Sequence, residues 1–155
     1  MMHIIRPMII ADIDAVYSIE TTAHKTPWSK EILRDCVLVG YDCRVIEVVN
    51  EDSKTLAGYI ISRVSTDLYH ILNICIDKSL QSQGLGRYLL TEVLHSLSDS
   101  RPGSCMVLEV RPSNTAALNL YYSMGFEQVD IKPGYYKDLN DVEDAILLKK
   151  NIVGF

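Results

Sequence analysis

The chain has 155 residues, 48% of them hydrophobic, and a formal net charge of −5. That length supports one domain with a real core. The apolar share excludes a disordered chain, and the acidic balance speaks against a nucleic-acid surface, which carries a basic patch, while suiting a cationic substrate. No apolar segment approaches the ~20 residues that span a bilayer, and Met1 to Pro7 lacks the apolar stretch of a signal peptide, so the cytoplasm is the expected location.

Met2 to Arg6 alternates as a strand does, and Pro7 ends it. Ile13, Val16, Tyr17 and Glu20 then recur at helical spacing across Asp12 to Thr22, with Asp12 placed to cap. Pro27-Trp28-Ser29-Lys30-Glu31 opens a second helix with Ser29 as its cap and Leu33 and Val37 on its inner face. Two Val- and Ile-rich runs, Arg44 to Val49 and Leu56 to Val64, flank the polar Asn50-Glu51-Asp52-Ser53 and read as a hairpin. Tyr69 to Ile76 is a further strand. Beyond it Leu85, Tyr88, Leu89, Val93 and Leu97 mark a third helix.

Arg101-Pro102-Gly103 breaks the chain before a buried strand, Cys105 to Val110. A fourth helix starts near Ser113-Asn114, carries Ala117, Leu120, Tyr121 and Met124 on one face, and ends at Gly125 in the left-handed conformation. Phe126 to Ile131 and Ala145 to Lys149 read as closing strands, joined by a polar loop with Pro133-Gly134 and Tyr135-Tyr136. The order β-α-α-β-β-β-α-β-α-β-β is a mixed α/β domain over residues 1–155, with neither linker nor internal repeat.

The most informative stretch is Gln81-Ser82-Gln83-Gly84-Leu85-Gly86-Arg87. A glycine-bearing turn between a strand and a helix N-terminus exposes backbone N–H groups, and the helix dipole adds positive charge, which together suit a phosphate. A dinucleotide fingerprint would place Gly or Ala where Leu89 stands, and a P-loop would follow Gly86 with Lys-Ser/Thr rather than Arg87-Tyr88.

Cys36, Cys43, Cys75 and Cys105 show no C-x-x-C pairing and no His at metal spacing, so no metal is expected. Cys75 and Cys105 lie in apolar strands as small buried hydrophobes. Glu109 stands inside the apolar run Val107 to Val110. From position alone it reads equally as a base with a pKa raised by burial, or as a carboxylate paired with an arginine such as Arg111 or turned to solvent. The histidines His3, His24, His70 and His95 are scattered.

Several segments in order resemble the GNAT acetyltransferases, and among them the ribosomal-protein-alanine N-acetyltransferases. They are Pro27-Trp28-Ser29, Asn73 to Asp77, Gln81 to Arg87, Leu108 to Asn114, Leu120 to Phe126, and Tyr135-Tyr136 before Glu143-Asp144-Ala145. The resemblance implies a mixed, mostly antiparallel sheet flanked by helices. It implies acetyl transfer from acetyl-CoA to the N-terminal alanine of the eighteenth small-subunit ribosomal protein, by direct attack in a ternary complex. Other GNAT enzymes act on lysine or a small-molecule amine, and a non-catalytic acyl-CoA-binding module is the alternative of another class.

By the same resemblance Glu109 accepts the proton and Tyr121 donates one to the leaving thiolate. Ile74, Cys75 and Ile76 line the pantetheine arm. Ser82, Gln83, Gly84, Leu85, Gly86 and Arg87 hold the pyrophosphate, and Asn114 bonds the cofactor or simply caps its helix. Pro27, Trp28, Tyr135 and Tyr136 match loops that wall the peptide groove. Ser82 departs from the pattern, since relatives often carry Arg or Lys there.

Overall fold

The computed structural model describes residues 2–153. Seven strands form one sheet: β1 Met2–Pro7, β2 Asp42–Asn50, β3 Ser53–Val64, β4 Leu68–Ile76, β5 Cys105–Val110, β6 Glu127–Asp138 and β7 Asp141–Asn151. Four helices intervene: α1 Ile13–Ala23, α2 Lys30–Leu38, α3 Leu85–Ser100 and α4 Thr115–Ser123. The strand order is β1-β2-β3-β4-β5-β7-β6. Pairing is antiparallel in β1–β2, β2–β3, β5–β7 and β6–β7 and parallel in β4–β5. A parallel pair needs a crossover, which α3 supplies. Among the described residues no helix is long and apolar enough to cross a membrane.

The chain divides into two compact units. The first comprises residues up to Arg63 with Leu72–Val93. Its core is built from Met8, Ile13, Val16, Ile19, Leu33, Cys36, Val45, Tyr59, Ile61 and Cys75, with Trp28 and Val37 packed against it. The inner face of α2 is therefore Leu33 and Cys36, with Val37 at its margin. Ser29 caps α2 by accepting from the Ile32 N–H at 3.2 Å, as its position predicts. Asp12 holds the N-cap position of α1 but makes no side-chain cap bond there. Its carboxylate instead accepts from the Arg6 guanidinium and the Ile9 N–H, each at 2.8 Å, because a charged partner within reach outcompetes a neutral amide. On α3 the buried residues of this unit are Leu85, Leu89, Leu90 and Val93, while Tyr88 faces outward beside the His3 ring. Leu85, Leu89 and Val93 hold the face that the spacing marks, with Leu90 in it and Tyr88 outside it.

The second unit comprises Val64–Ile71 and the chain from Leu94 onward. Tyr69, Ile71, Met106, Leu108, Val110, Phe126, Ala145 and Leu148 are buried there. Cys105 is only half-buried, at the start of β5, so it is not the core hydrophobe its sequence context suggests. α4 is followed by Gly125 at φ 92°. The largest difference from expectation is at the C-terminal strands. Pro133 to Tyr136 is not a loop: it lies within β6, whose register against β7 shifts between Lys132 and Tyr136, and the true connection is only Leu139-Asn140. β6 is an edge strand, where a proline costs no ladder bond and a bulge absorbs the irregularity.

Candidate active site

In the first unit, strand β4 ends at a tightly built turn. An added Cβ at Gly58 on β3 would stand 2.5 Å from the Cys75 carbonyl oxygen, so glycine alone lets β3 approach β4 there. The Asp77 N–H bonds the Ala57 carbonyl at 2.7 Å, and the Gln81 side-chain amide donates to the Ile76 carbonyl at 3.0 Å. Gln81 thus ties the turn to the strand it follows. Ser82 (φ 65°) and Gly84 (φ 81°) are both left-handed. Left-handed residues within a turn gather successive N–H groups into an anion-binding concavity. The 16-residue α3 begins directly after it, with the Tyr88 N–H closing on the Gly84 carbonyl at 3.0 Å. The N–H groups of Leu85 and Gly86 precede that first helical bond, at the positive end of the helix dipole. Ser82, Gln83, Gly84 and Arg87 are exposed, Gly86 is half-buried, and the Leu85 side chain is buried, so Leu85 can offer only backbone. The segment fits the diphosphate of a coenzyme. On β4, Cys75 and Ile76 have buried side chains and Ile74 is half-buried, which likewise leaves backbone as their contribution. Burial pushes the Cys75 thiol up to about 12, so it is no nucleophile.

The same unit holds a buried carboxylate that sequence reading passed over. Glu20, near the end of α1, is 1% exposed. It accepts from the Tyr59 hydroxyl, from Asn73 Nδ2 at 2.7 Å and from the Trp28 N–H at 3.0 Å, and His24 Nε2 lies at 3.4 Å. The network fixes the α1–α2 segment at Trp28 while Pro27 stays exposed. In sequence Glu20 looks like one more position of an amphipathic helix, and only its depth reveals it.

In the second unit the carboxylate is Glu109, on β5 with its side chain 7% exposed. Arg111 is not its partner. His70 Nε2 reaches Glu109 Oε2 at 2.8 Å and Oε1 at 3.1 Å, and Lys132 Nζ reaches Oε1 at 2.8 Å. Burial works to raise the carboxyl's pKa, but the hydrogen bonds from His70 and Lys132 outweigh it and hold the group below the ordinary carboxylate range. The expected upward shift is therefore reversed. His70 joins because the parallel ladder pairs it with Val107, two residues before Glu109 and so on the same face. The separations of 39 and 23 residues gave no local signal.

Arg111 is committed elsewhere. Its guanidinium bonds Asp138 at 3.1 Å and Glu143 at 3.2 Å and lies 4.2 Å from the centre of the Tyr136 ring. Glu143 also accepts from the Ser113 N–H at 2.8 Å and its hydroxyl at 3.0 Å. This clamp holds the turn before α4, where Asn114 acts as the cap, accepting from the Ala117 N–H at 3.2 Å. Tyr121 is buried, edge-on to Phe126 with ring centroids 5.6 Å apart. Tyr135 and Tyr136 pack edge-to-face at 4.9 Å, Tyr135 exposed and Tyr136 half-buried, and Lys132 Nζ lies 5.4 Å from the Tyr135 ring. Burial raises the pKa of both phenols.

The profile of the acetyltransferase (GNAT) family matches residues 13–126. The [ribosomal protein bS18]-alanine N-acetyltransferase of Escherichia coli K12 is 34% identical over 147 residues, covering 95% of this chain and 96% of its own length. The crystal structure of the ribosomal-protein-S18-alanine N-acetyltransferase from Escherichia coli superposes with a TM-score of 0.87 at 32% identity, over 99% of this chain and 96% of that one. Arabidopsis thaliana NAA60 in complex with acetyl-CoA shares the fold at 19% identity, with a TM-score of 0.82 over 96% and 98% of the two chains.

Proposed function

Since this chain belongs to the GNAT acetyltransferase family, we propose that residues 1–155 act as one N-terminal acetyltransferase domain, with Glu109 accepting the proton and Tyr121 giving one. The enzyme moves the acetyl group of acetyl-CoA to the α-amine of the N-terminal alanine of small-subunit ribosomal protein bS18, as its relative of 34% identity is named for doing. The reading places it in the cytoplasm, away from membrane and nucleic acid, in keeping with its net charge of −5.

The coenzyme supplies an acyl thioester, whose carbonyl carbon is the electrophile. The Ser82–Arg87 turn takes the diphosphate through backbone N–H groups, and the backbone of Ile74, Cys75 and Ile76 takes the pantetheine arm. Asn114, which caps α4 through its Oδ1, also bonds the coenzyme. Trp28, held by Glu20, and Pro27, Tyr135 and Tyr136 wall the peptide.

The proton path follows from the acidity gap. The hydrogen bonds from His70 and Lys132 hold the Glu109 carboxyl below the ordinary carboxylate range, far from a peptide α-ammonium that titrates at about 7.7–8.0, so the resting ammonium keeps its proton against this carboxylate. The ammonium first gives one proton to solvent, and Glu109 takes the next as the neutral amine forms the C–N bond and the nitrogen becomes far more acidic, directly or through one water. Tyr121 keeps its proton at neutral pH and yields it to the thiolate as the C–S bond breaks.

The observation that carries this reading is the Glu109 carboxylate, buried on a strand yet met, among the described residues, by two nitrogen donors, an imidazole and an ammonium. Such a group is built to receive an amine. The test is mass spectrometry of a synthetic bS18 N-terminal peptide incubated with enzyme and acetyl-CoA. Its control is the same peptide with a blocked α-amine and a free internal lysine. One acetyl on the free-amine peptide alone is expected. Acetylation of the blocked peptide would move the activity to lysine, and transfer to neither would leave a coenzyme-binding module.

A further inference from the structure

We infer that the Lys132 ammonium is a placeholder for the substrate's α-ammonium, occupying the Glu109 carboxylate in the free enzyme and leaving it when a peptide enters. This deepens the proposed function and rests on Glu109 being the group that receives the amine.

The two nitrogen partners of Glu109 differ in what they can do. His70 is 16% exposed, on a short side chain within the parallel ladder, and it bridges both carboxylate oxygens. Lys132 is 39% exposed, on a four-carbon stem at the irregular stretch of an edge strand, and holds Oε1 alone. A carboxylate offers about four acceptor positions. His70 Nε2 and Lys132 Nζ between them engage both oxygens, so an incoming ammonium meets a carboxylate already paired with one ammonium. The partner that can yield is Lys132, because a half-exposed ion pair is weak and a long stem swings freely.

Lys132 also has somewhere to go. The Tyr135 ring lies 5.4 Å from its Nζ, and the field of Asp130, two residues back on β6, already favours its charge. The groups facing Glu109 are His70 from β4 and Lys132, Tyr135 and Tyr136 from β6, while β7 sets only Leu147 opposite it. Lys132 is thus the only mobile cation facing this carboxylate among the described residues. The arrangement selects for a free amine. A blocked N-terminus brings no cation to replace the one it displaces, and an uncompensated carboxylate is costly.

Removing the placeholder removes a competitor, so apparent affinity rises by the inverse of the open fraction. Lys132→Met keeps the stem and deletes the charge. Its peptide KM is expected to fall about three- to tenfold, with the KM for acetyl-CoA unmoved, while Lys132→Arg returns KM towards wild type. A peptide KM that rises, or stays within about twofold, would make Lys132 a fixed structural partner and overturn the inference.

A second readout needs no turnover. In enzyme labelled with 15N-lysine, the Lys132 ammonium resonance, assigned by its loss in Lys132→Met, is expected to shift when free-amine peptide binds and to stay put with the N-acetylated peptide. An unmoved resonance under saturating peptide would sink the placeholder. If instead Glu109→Gln kept full activity while the resonance moved, the role of Glu109 as base would fail and the displacement would stand.

Discussion

Glu20 and Glu109 are two sunken carboxylates, one in each unit, and they are satisfied in opposite ways. Glu20 is held by a tyrosine hydroxyl, an asparagine amide and a backbone N–H, all fixed by packing, with a histidine at the rim. Glu109 is held by an imidazole and by a lysine that stands half in solvent. The first set cannot leave without unfolding something. The second contains one partner that can. Burial of a carboxylate thus says little about function, and the mobility of its partners says more. Structure needs donors that stay, whereas chemistry needs one that can be exchanged for a substrate.

The strongest way to break this contrast is to remove the chemistry and look for a stability effect. Glu109→Gln is expected to lower kcat by about 10²–10⁴-fold, with the KM for acetyl-CoA nearly unchanged and a loss of melting temperature smaller than that of Glu20→Ala. Tyr121→Phe should behave likewise at the lower end of that range. Full activity of both on saturating peptide would remove the role assignments.

The converse change comes next. Glu20→Ala strands the Tyr59 hydroxyl and the Asn73 amide in the core, and each orphaned group costs about 1–3 kcal/mol. A clear drop in the denaturant midpoint is expected, with kcat at saturating peptide, measured below the transition, within a fewfold of wild type. If Glu20→Ala instead abolished turnover in a stable protein, Glu20 would belong with Glu109.

The smallest effect concerns pH. The carboxyl of folded Glu109 lies below its ordinary value, mainly because His70 and Lys132 overcome burial. A depressed carboxylate stabilises the fold above its unfolded value of about 4.3, and that contribution is lost as pH falls through the lower folded value. Between pH 5 and 9 Glu109 stays ionised, and kcat/KM should rise with an apparent pKa near the peptide amine's ~7.7–8.0. A limb between pH 5 and 6.5 would assign a titration to the site that the Lys132 pair argues against.

Legibility differed sharply along the chain. The element order was readable because hydrophobic period and local turn chemistry coincide, as at Ser29, Gly125 and the Asn50–Ser53 hairpin. β6 misled because Pro133-Gly134 is a turn signal, whereas an edge strand with a bulge accommodates both residues. Tyr88 misled because a phenol ring suits either side of an amphipathic helix. The site was half readable. Glu109 and Tyr121 were marked by the segments that resemble the GNAT enzymes, but His70 and Lys132 carried no mark, since neither is unusual among its neighbours in sequence.

By itself, then, the sequence determined the number and order of elements and the glycine-bearing turn before α3. These are properties of contiguous residues, governed by period, capping and backbone sterics. The tertiary structure alone decided the direction of the Glu109 shift, the commitment of Arg111 to Asp138 and Glu143, and the depth of Glu20. Each depends on which side chains a ladder register or a packed helix brings within about 3 Å, the reach of a hydrogen bond. Over that distance a charge's behaviour is set by its neighbours in space rather than its neighbours in chain.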